Sequence, residues 1–390
     1  MKQTVKNWRK VKLGDIADIN MGQSPQSKFY NSEGDGLPFM QGVTEFGELF
    51  PTTKQWTSKT TKIANAGDIL FSVRAPVGRI NYSKEKLCIG RGLSAMKARE
   101  QLLSQSFLFY LLKNEQNNFI SQSGGSIYDS INKDKLNEFE VKIPGIQTQK
   151  QIAYVLSAYD DLIENNIRRI KILEQMAQAI YAGSFNYSNQ GGKDVSLDSV
   201  ITICRGKSYS SEELSDDKGI PFVNLKCIDR DGGFRKSGLK MFTGKYKDTQ
   251  KVMARDIVVA VTDMTQDRRI VARAARVPSL DGGFGVISMD LVKIQPKDGN
   301  DPDYIYALLR WSGFADEVKN HANGANVLHL IPDRISDYKT QIAPADQQAE
   351  FGKKVRPIFD LIDKLELQNE NLRQTRDLLL PKLVTGEIRV

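Results

Sequence analysis

The stretch from Thr148 to about Ala182 constrains this chain of 390 residues more than any other. It contains no proline, and its stripe residues recur in a heptad: Ile152, Leu156, Tyr159, Ile163, then Asn166, Ile170, Leu173, Ala177 and Ile180. Steps of four and three place these side chains on one narrow face of a long α-helix. A helix of about 35 residues is about 50 Å long, and alone it would leave that face in water. Its partner lies between Ala345 and Leu380, where Phe351, Val355, Ile358, Ile362, Leu365, Asn369, Leu372, Arg376 and Leu379 repeat the pattern. A shift of 199 residues superposes Ile163 on Ile362, Leu173 on Leu372 and Ile180 on Leu379. Two amphipathic helices on separate cores would also carry stripes. The narrow seams, each holding one asparagine, favour an intramolecular antiparallel coiled coil, because a buried asparagine fixes register at some cost in stability. Its expected packing residues are Leu156, Ile163, Asn166, Ile170 and Leu173 on one helix and Val355, Ile362, Leu365, Asn369 and Leu372 on the other.

The segment before each helix reads as α+β, and the two segments are copies. Val11, Leu13, Ile16, Ile19, Gly22 and Ser24 recur 184 residues later as Val195, Leu197, Val200, Ile203, Gly206 and Ser208. Leu37-Pro38-Phe39 recurs as Ile220-Pro221-Phe222, Asp68-Ile69-Leu70 as Asp256-Ile257-Val258, and Arg79-Ile80 as Arg269-Ile270. Phe107, Phe109, Leu111 and Leu112 recur as Tyr304, Tyr306, Leu308 and Leu309. Gly125, Asp134 and Lys135 recur as Gly324, Asp333 and Arg334, and Pro144 as Pro344. The order predicts strands over 67–73, 79–82 and 139–143, a helix near 107–119, and a glycine turn at Gly124-Gly125-Ser126. The chain is therefore one unit used twice, a globular domain followed by a long helix. The NYSNQGG segment, Asn186–Gly192, reads as a flexible linker between the copies.

Composition narrows the class. No apolar run approaches the 18 or more residues of a membrane span. The N-terminal lysines precede no apolar segment, so no secretory signal is expected. Cys88, Cys204 and Cys227 are an odd, widely spaced set, which suggests free thiols and a reducing, cytoplasmic compartment. With His321 and His329 they give no zinc-ligand spacing, so no metal site is expected. The net charge is +8, and residues 1–150 carry most of it, with 21 lysines and arginines against 14 acidic residues. A basic first domain suggests a polyanionic partner, with simple solubilisation as the competing reading.

Enzyme signatures are near misses. Asp301-Pro302-Asp303-Tyr304 resembles an amino-methyltransferase tetrapeptide but lacks its second proline and any preceding adenosylmethionine loop. Gly282-Gly283-Phe284-Gly285 lacks the continuation of a nucleotide loop. Pro302-Asp303 with Glu317-Val318-Lys319 formally fits a nuclease pattern, yet Glu317 and Lys319 fall in a helical stretch where that chemistry needs a strand. A long chain without catalytic apparatus favours a binding protein.

The loops fit a nucleic-acid reader. Framework residues match between the copies while loop residues diverge, as in Ser72–Arg79 against Thr262–Arg269. Arginine fits guanine bidentately, and asparagine or glutamine fits adenine. DNA-contact candidates are Gln41, Thr44, Arg74, Arg79 and Arg91 in the first copy. In the second they are Asn224, Lys226, Gln266, Arg268, Arg269 and Asn323. Each also reads as a solvated loop residue.

The framework resembles the specificity (S) subunit of type I restriction–modification systems over nearly the whole chain. The resemblance rests on V-x-L-G-D-I-A at 11–17, the GDIL strand, the GGSI turn, I-P-x-I-x-T-Q-K-Q-I-A at 143–153 and T-G-E-I at 385–388. The second copy departs from it, with Ala343-Pro344-Ala345-Asp346-Gln347-Gln348 at the helix start and Arg255 in place of Gly67. The resemblance implies target recognition domains at 1–147 and 195–344, spacer helices at 148–185 and 345–390, and a linker at 186–194. Each recognition domain would read one half of a bipartite double-stranded DNA target, and the antiparallel helices would set the gap. Two methyltransferase (M) subunits would bind S-adenosylmethionine and methylate adenine. Up to two restriction (R) subunits, using ATP and Mg, would cleave. The S chain itself would bind no cofactor and supply no catalytic residue. The rivals are a stand-alone duplicated-domain DNA-binding regulator and a DNA-modifying enzyme built on Asp301–Tyr304 or Glu317–Lys319.

Overall fold

The computed structural model describes residues 8–123, 130–185 and 194–390. The Gly124-Gly125-Ser126 turn and the Asn186–Gly192 linker lie outside the described residues. The chain forms two compact units, Met1–Arg168 with Leu367–Val390, and Arg169–Glu366.

In the first unit, strand Ile69–Ser72 is buried along its whole length. It sits in an antiparallel sheet ordered Ala17–Met21, Leu93–Ala98, Ile69–Ser72, Ile80–Tyr82. Side chains alternate across a strand, so the sheet has two apolar faces. Ile69, Phe71 and Met96 pack with helix Gln105–Asn114 and with Ile152 and Leu156. Leu70, Leu93 and Ala95 pack on Met40 and Ile89 of a second sheet. Each large apolar side chain fully buried this way contributes about 1.5–3 kcal/mol. The second sheet is ordered Tyr30–Asn31, Trp56–Thr57, Leu37–Met40, Leu87–Ile89, Ile63–Ala64. Its pair Leu37–Met40 and Leu87–Ile89 is parallel. The helix expected near 107–119 is broken at Glu115 into Gln105–Asn114 and Gln116–Ser123.

The second unit repeats both strand orders. Its antiparallel sheet runs Ile201–Arg205, Leu291–Pro296, Ile257–Ala260, Ala274–Arg276. Its five-stranded sheet runs Leu214–Ser215, Lys240–Phe242, Ile220–Val223, Phe284–Ile287, Lys251–Met253. Ile257 and Val259 join helix Pro302–Trp311 in one core, and Val258 and Ala260 face the other. The register corrects one sequence match. Ile80 pairs with Phe71, and the residue in that position of the second unit is Ala274, paired with Val259. Arg79-Ile80 therefore corresponds to Arg273-Ala274, because the second loop is longer and Arg269-Ile270 still lies within it.

The long helices span Ile146–Ser184 and Ala345–Val384. The central one starts two residues before Thr148. The C-terminal one stops short of 390, where Gly386 takes a left-handed φ of 78°. Gly386 N–H donates to the Leu383 carbonyl, which closes the last turn. One glutamine explains the helix-start motif in both copies. Buried Gln149 donates to the Pro144 carbonyl at 2.9 Å and accepts Ser104 N–H at 2.9 Å. Gln348 does the same with the Ala343 carbonyl at 2.8 Å and Asp301 N–H at 3.0 Å. Each long helix is thereby tied to the start of its domain's shorter helix.

Leu156, Ile163, Asn166, Val355, Ile362, Leu365 and Asn369 are buried, and Ile170, Leu173 and Leu372 half-buried. Within the first unit the helix segments run antiparallel, Asp160 meeting Arg376 and Asn166 meeting Asn369. The stripe also serves the globular cores. Ile152, Leu156, Leu380 and Leu383 belong to the core of the first unit. Ala177, Tyr181, Val355 and Phe359 belong to that of the second. Cys88, Cys204 and Cys227 are free thiols.

Candidate nucleic-acid interface

The parallel strand pair decides which candidates meet in the first unit. Leu37–Met40 and Leu87–Ile89 end side by side, so Gln41 and the Gly90-Arg91-Gly92 turn emerge together, with Gly90 N–H donating to the Met40 carbonyl at 2.8 Å. Ser24 joins them. Its Oγ donates to Gln41 Oε1 at 2.9 Å and accepts Arg91 N–H at 3.2 Å. Gln41 and Arg91 are exposed, and so is Thr44, a few residues further along the same loop.

Arg74 and Arg79 flank a neighbouring loop and are also exposed, and Val73 N–H joins it to the Arg91 turn by donating to the Gly92 carbonyl at 2.9 Å. Ser72 closes it. The Ser72 hydroxyl donates to the Pro76 carbonyl at 2.6 Å and accepts Arg79 N–H at 2.8 Å. Arg74 is bridged to Ser130.

In the second unit a carboxylate replaces that hydroxyl. Buried Asp263 accepts N–H groups from Thr265 at 2.9 Å, Ile270 at 2.7 Å and Val271 at 3.2 Å, and the Thr265 hydroxyl at 2.8 Å. Burial opposes ionisation of Asp263, but these hydrogen bonds outweigh it and hold its carboxyl below the usual range. The loop so fixed carries Gln266, Arg268 and Arg269. Gln266 donates to the Ala325 carbonyl at 3.0 Å, which joins this loop to the turn holding exposed Asn323. Arg268 is half-buried with a φ of 53°, and Arg269 faces Asp231 at 3.8 Å. Lys226 is exposed.

Asn224 is a correction. It is 8% exposed, and its amide is consumed by the fold. It donates to the carbonyls of Gly238 at 2.8 Å and Phe222 at 3.3 Å, and accepts Lys226 N–H at 2.9 Å. It caps the short turn Leu225–Cys227 instead of presenting an amide to a ligand.

The near-miss motifs also have structural work. Asp301 caps helix Pro302–Trp311 by accepting Asp303 N–H at 2.9 Å and Tyr304 N–H at 3.2 Å. Asp301 and Asp303 both bind Arg356 at 2.9 Å. Tyr304 is fully buried, its hydroxyl accepting Ala343 N–H at 3.0 Å. Glu317 lies in the short helix Phe314–Val318. Gly282 and Gly283 form a turn of left-handed φ. Among the described residues no group of three or more His, Cys, Asp or Glu side chains could hold a metal ion, and no helix is long and apolar enough to cross a membrane.

One constellation had no sequence signal. Arg376 lies on the helix stripe, yet its guanidinium is 4% exposed. It binds Glu48 at 2.9 Å, Asp377 at 2.9 Å and the buried carboxylate of Asp160. Asp160 also accepts the Tyr110 hydroxyl at 2.6 Å. Arg373 takes the other oxygen of Glu48 at 2.9 Å. The loop that begins at Gln41 is thereby tied to the C-terminal helix. Such a hub is invisible locally because Glu48 and Arg376 are 328 residues apart.

Residues 5–175 and 189–374 each match the family described as Type I restriction modification DNA specificity domain. The MjaIX type I restriction enzyme specificity subunit of Methanocaldococcus jannaschii is 26% identical over 422 residues, covering 99% of this chain and 94% of that protein. The putative MjaX specificity subunit of the same organism is 42% identical over 175 residues, a match that spans 44% of this chain and only 40% of the relative. The HindI specificity subunit of Haemophilus influenzae is 22% identical over 462 residues, covering 98% of this chain and all of that one. In fold, the chain is similar to the crystal structure of a type I restriction–modification S subunit from M. genitalium, with a TM-score of 0.58, 16% identity and 98% of each chain covered. Two copies of its domain, each a pair of sheets leading into a long helix, show that this chain belongs to the type I restriction–modification DNA specificity family.

Proposed function

We propose that this chain reads a bipartite double-stranded DNA target for a type I restriction–modification complex, one half-site per recognition domain, and that the helix pair sets the gap. The observation that carries this reading is one framework built twice with different side chains at equivalent sheet ends. Arg91 follows Gly90 in the first unit, and Met289 follows Ser288 in the second. Two different base sequences need two different sets of contacts on a common scaffold.

The chain supplies recognition and no catalytic residue. Two M subunits carry S-adenosylmethionine and methylate adenine, which must leave the base stack to reach their pockets. Up to two R subunits join with ATP and Mg to cleave. All of this takes place in the cytoplasm. Reading both halves from one face of the duplex favours half-sites about one helical turn apart, roughly 10 base pairs.

The test is single-molecule sequencing of a host genome with and without this chain beside its methyltransferase partner. A bipartite motif methylated on adenine only when the chain is present supports the proposal. Unchanged methylation with an intact partner sinks it and leaves the stand-alone binder.

A further inference from the structure

We infer that one sheet end of the first unit, where Ser24, Gln41 and Arg91 converge, is a base-reading surface of that unit. Ser24 is the positioning residue for Gln41. The inference rests on the DNA-reading role proposed above.

Three chain segments distant in sequence meet at this point. Gly22 makes the approach possible, since a Cβ there would lie 2.1 Å from the Gly90 carbonyl oxygen. The Ser24 hydroxyl spans the junction, donating to Gln41 Oε1 at 2.9 Å and accepting Arg91 N–H at 3.2 Å. That bond fixes the Gln41 amide, leaving Nε2 without a partner among the described residues. The Arg91 guanidinium has no ion pair among them either. An amide donor and a guanidinium carried on two turns that Ser24 ties together suit the acceptor-rich major-groove edge of a purine.

The Arg74–Arg79 loop adjoins this junction, since Val73 N–H donates to the Gly92 carbonyl at 2.9 Å, but Ser72 closes it by its own hydrogen bonds.

The second unit shows what changes between readers. Ser288 N–H donates to the Val223 carbonyl at 2.9 Å, as Gly90 does to Met40, so Met289 occupies the place of Arg91. Met289 is exposed, and Asn224, in the place of Gln41, is buried. An apolar thioether there suits a thymine methyl group, not an acceptor edge.

The test uses the full chain in complex with its M subunits and duplexes varied at each position of both half-sites. Arg91→Met should lose about 10- to 100-fold discrimination at one base pair of one half-site. Ser24→Ala should relax the neighbouring position of the same half-site at unchanged melting temperature, and Ser24→Thr, which keeps the hydroxyl, should restore it. Full discrimination retained in both Arg91→Met and Ser24→Ala overturns the inference. So does a loss in Arg91→Met that is uniform over sequences or spread across both half-sites. A parent complex with no bipartite target would overturn the proposed function, and this inference with it.

Discussion

The side-chain amide of Asn166 donates to Asn369 Oδ1 at 2.9 Å inside the helix pair, with both residues buried. The two are not repeat equivalents. The shift of 199 residues that relates the helices places Asn166 on Leu365 and Ile170 on Asn369. One polar contact thus sits in the first unit where the second has an apolar pair, and the two ends of the pseudo-repeat are not interchangeable.

Removing one asparagine should cost more than removing both. Asn166→Leu leaves the Asn369 amide buried without its partner, and should destabilise by about 1–3 kcal/mol. Asn166→Leu with Asn369→Leu should recover most of that. Urea denaturation of the two singles and the double decides it, and additive losses would contradict the pairing.

Arg376→Met should be among the most damaging single changes in either helix. It strands Asp160 and Glu48 as buried or half-buried carboxylates, at about 3–5 kcal/mol. Adding Asp160→Asn and Glu48→Gln should restore more than half of the thermal stability. The repeat already holds an uncharged solution, since the equivalents of Asp160 and Arg376 are buried Phe359 and Ala177.

The second unit should lose stability between pH 5 and 8 because of Glu366. Burial, with Asp363 and Glu174 nearby, raises its carboxyl from 4.5 to about 7. The folded form holds the proton more tightly than the unfolded one. The contribution is therefore complete below pH 4.5 and lost as pH rises through 7. Glu366→Gln should melt higher than the parent at pH 8, by an amount worth about 1–3 kcal/mol, and equally at pH 4.5. Melting curves at both pH values test the sign.

The spacer reading predicts a change in gap without a change in bases. One heptad inserted within 165–172, with a matching heptad in the facing turn of the C-terminal helix, adds about 10 Å, or about 3 base pairs. A methylation-site survey should show both half-sites intact and a longer gap. Unchanged spacing would remove the ruler.

The repeat, the two long helices and the strands over 67–73, 79–82 and 139–143 were legible because they are written in local pattern: a short apolar run in Ile69–Val73, heptads in 152–180, and the same order again later. Periodicity could not say which polar loop residue stays free. Asn224 and Gln41 occupy equivalent places and belong to the same chemical class. The carbonyls of Gly238 and Phe222 take the first, and the hydroxyl of Ser24 holds the second at the surface.

The sequence by itself determined that one α+β unit with a long helix is used twice, since each element is specified by residues a few positions apart. Only the tertiary structure decided that Arg79 corresponds to Arg273, that Arg376 is buried between Glu48 and Asp160, and that Ser24 joins Gln41 to Arg91. A hydrogen bond forms only when its two atoms come within about 3 Å. Across 67 or 328 residues, only the packing of sheets and helices sets that distance.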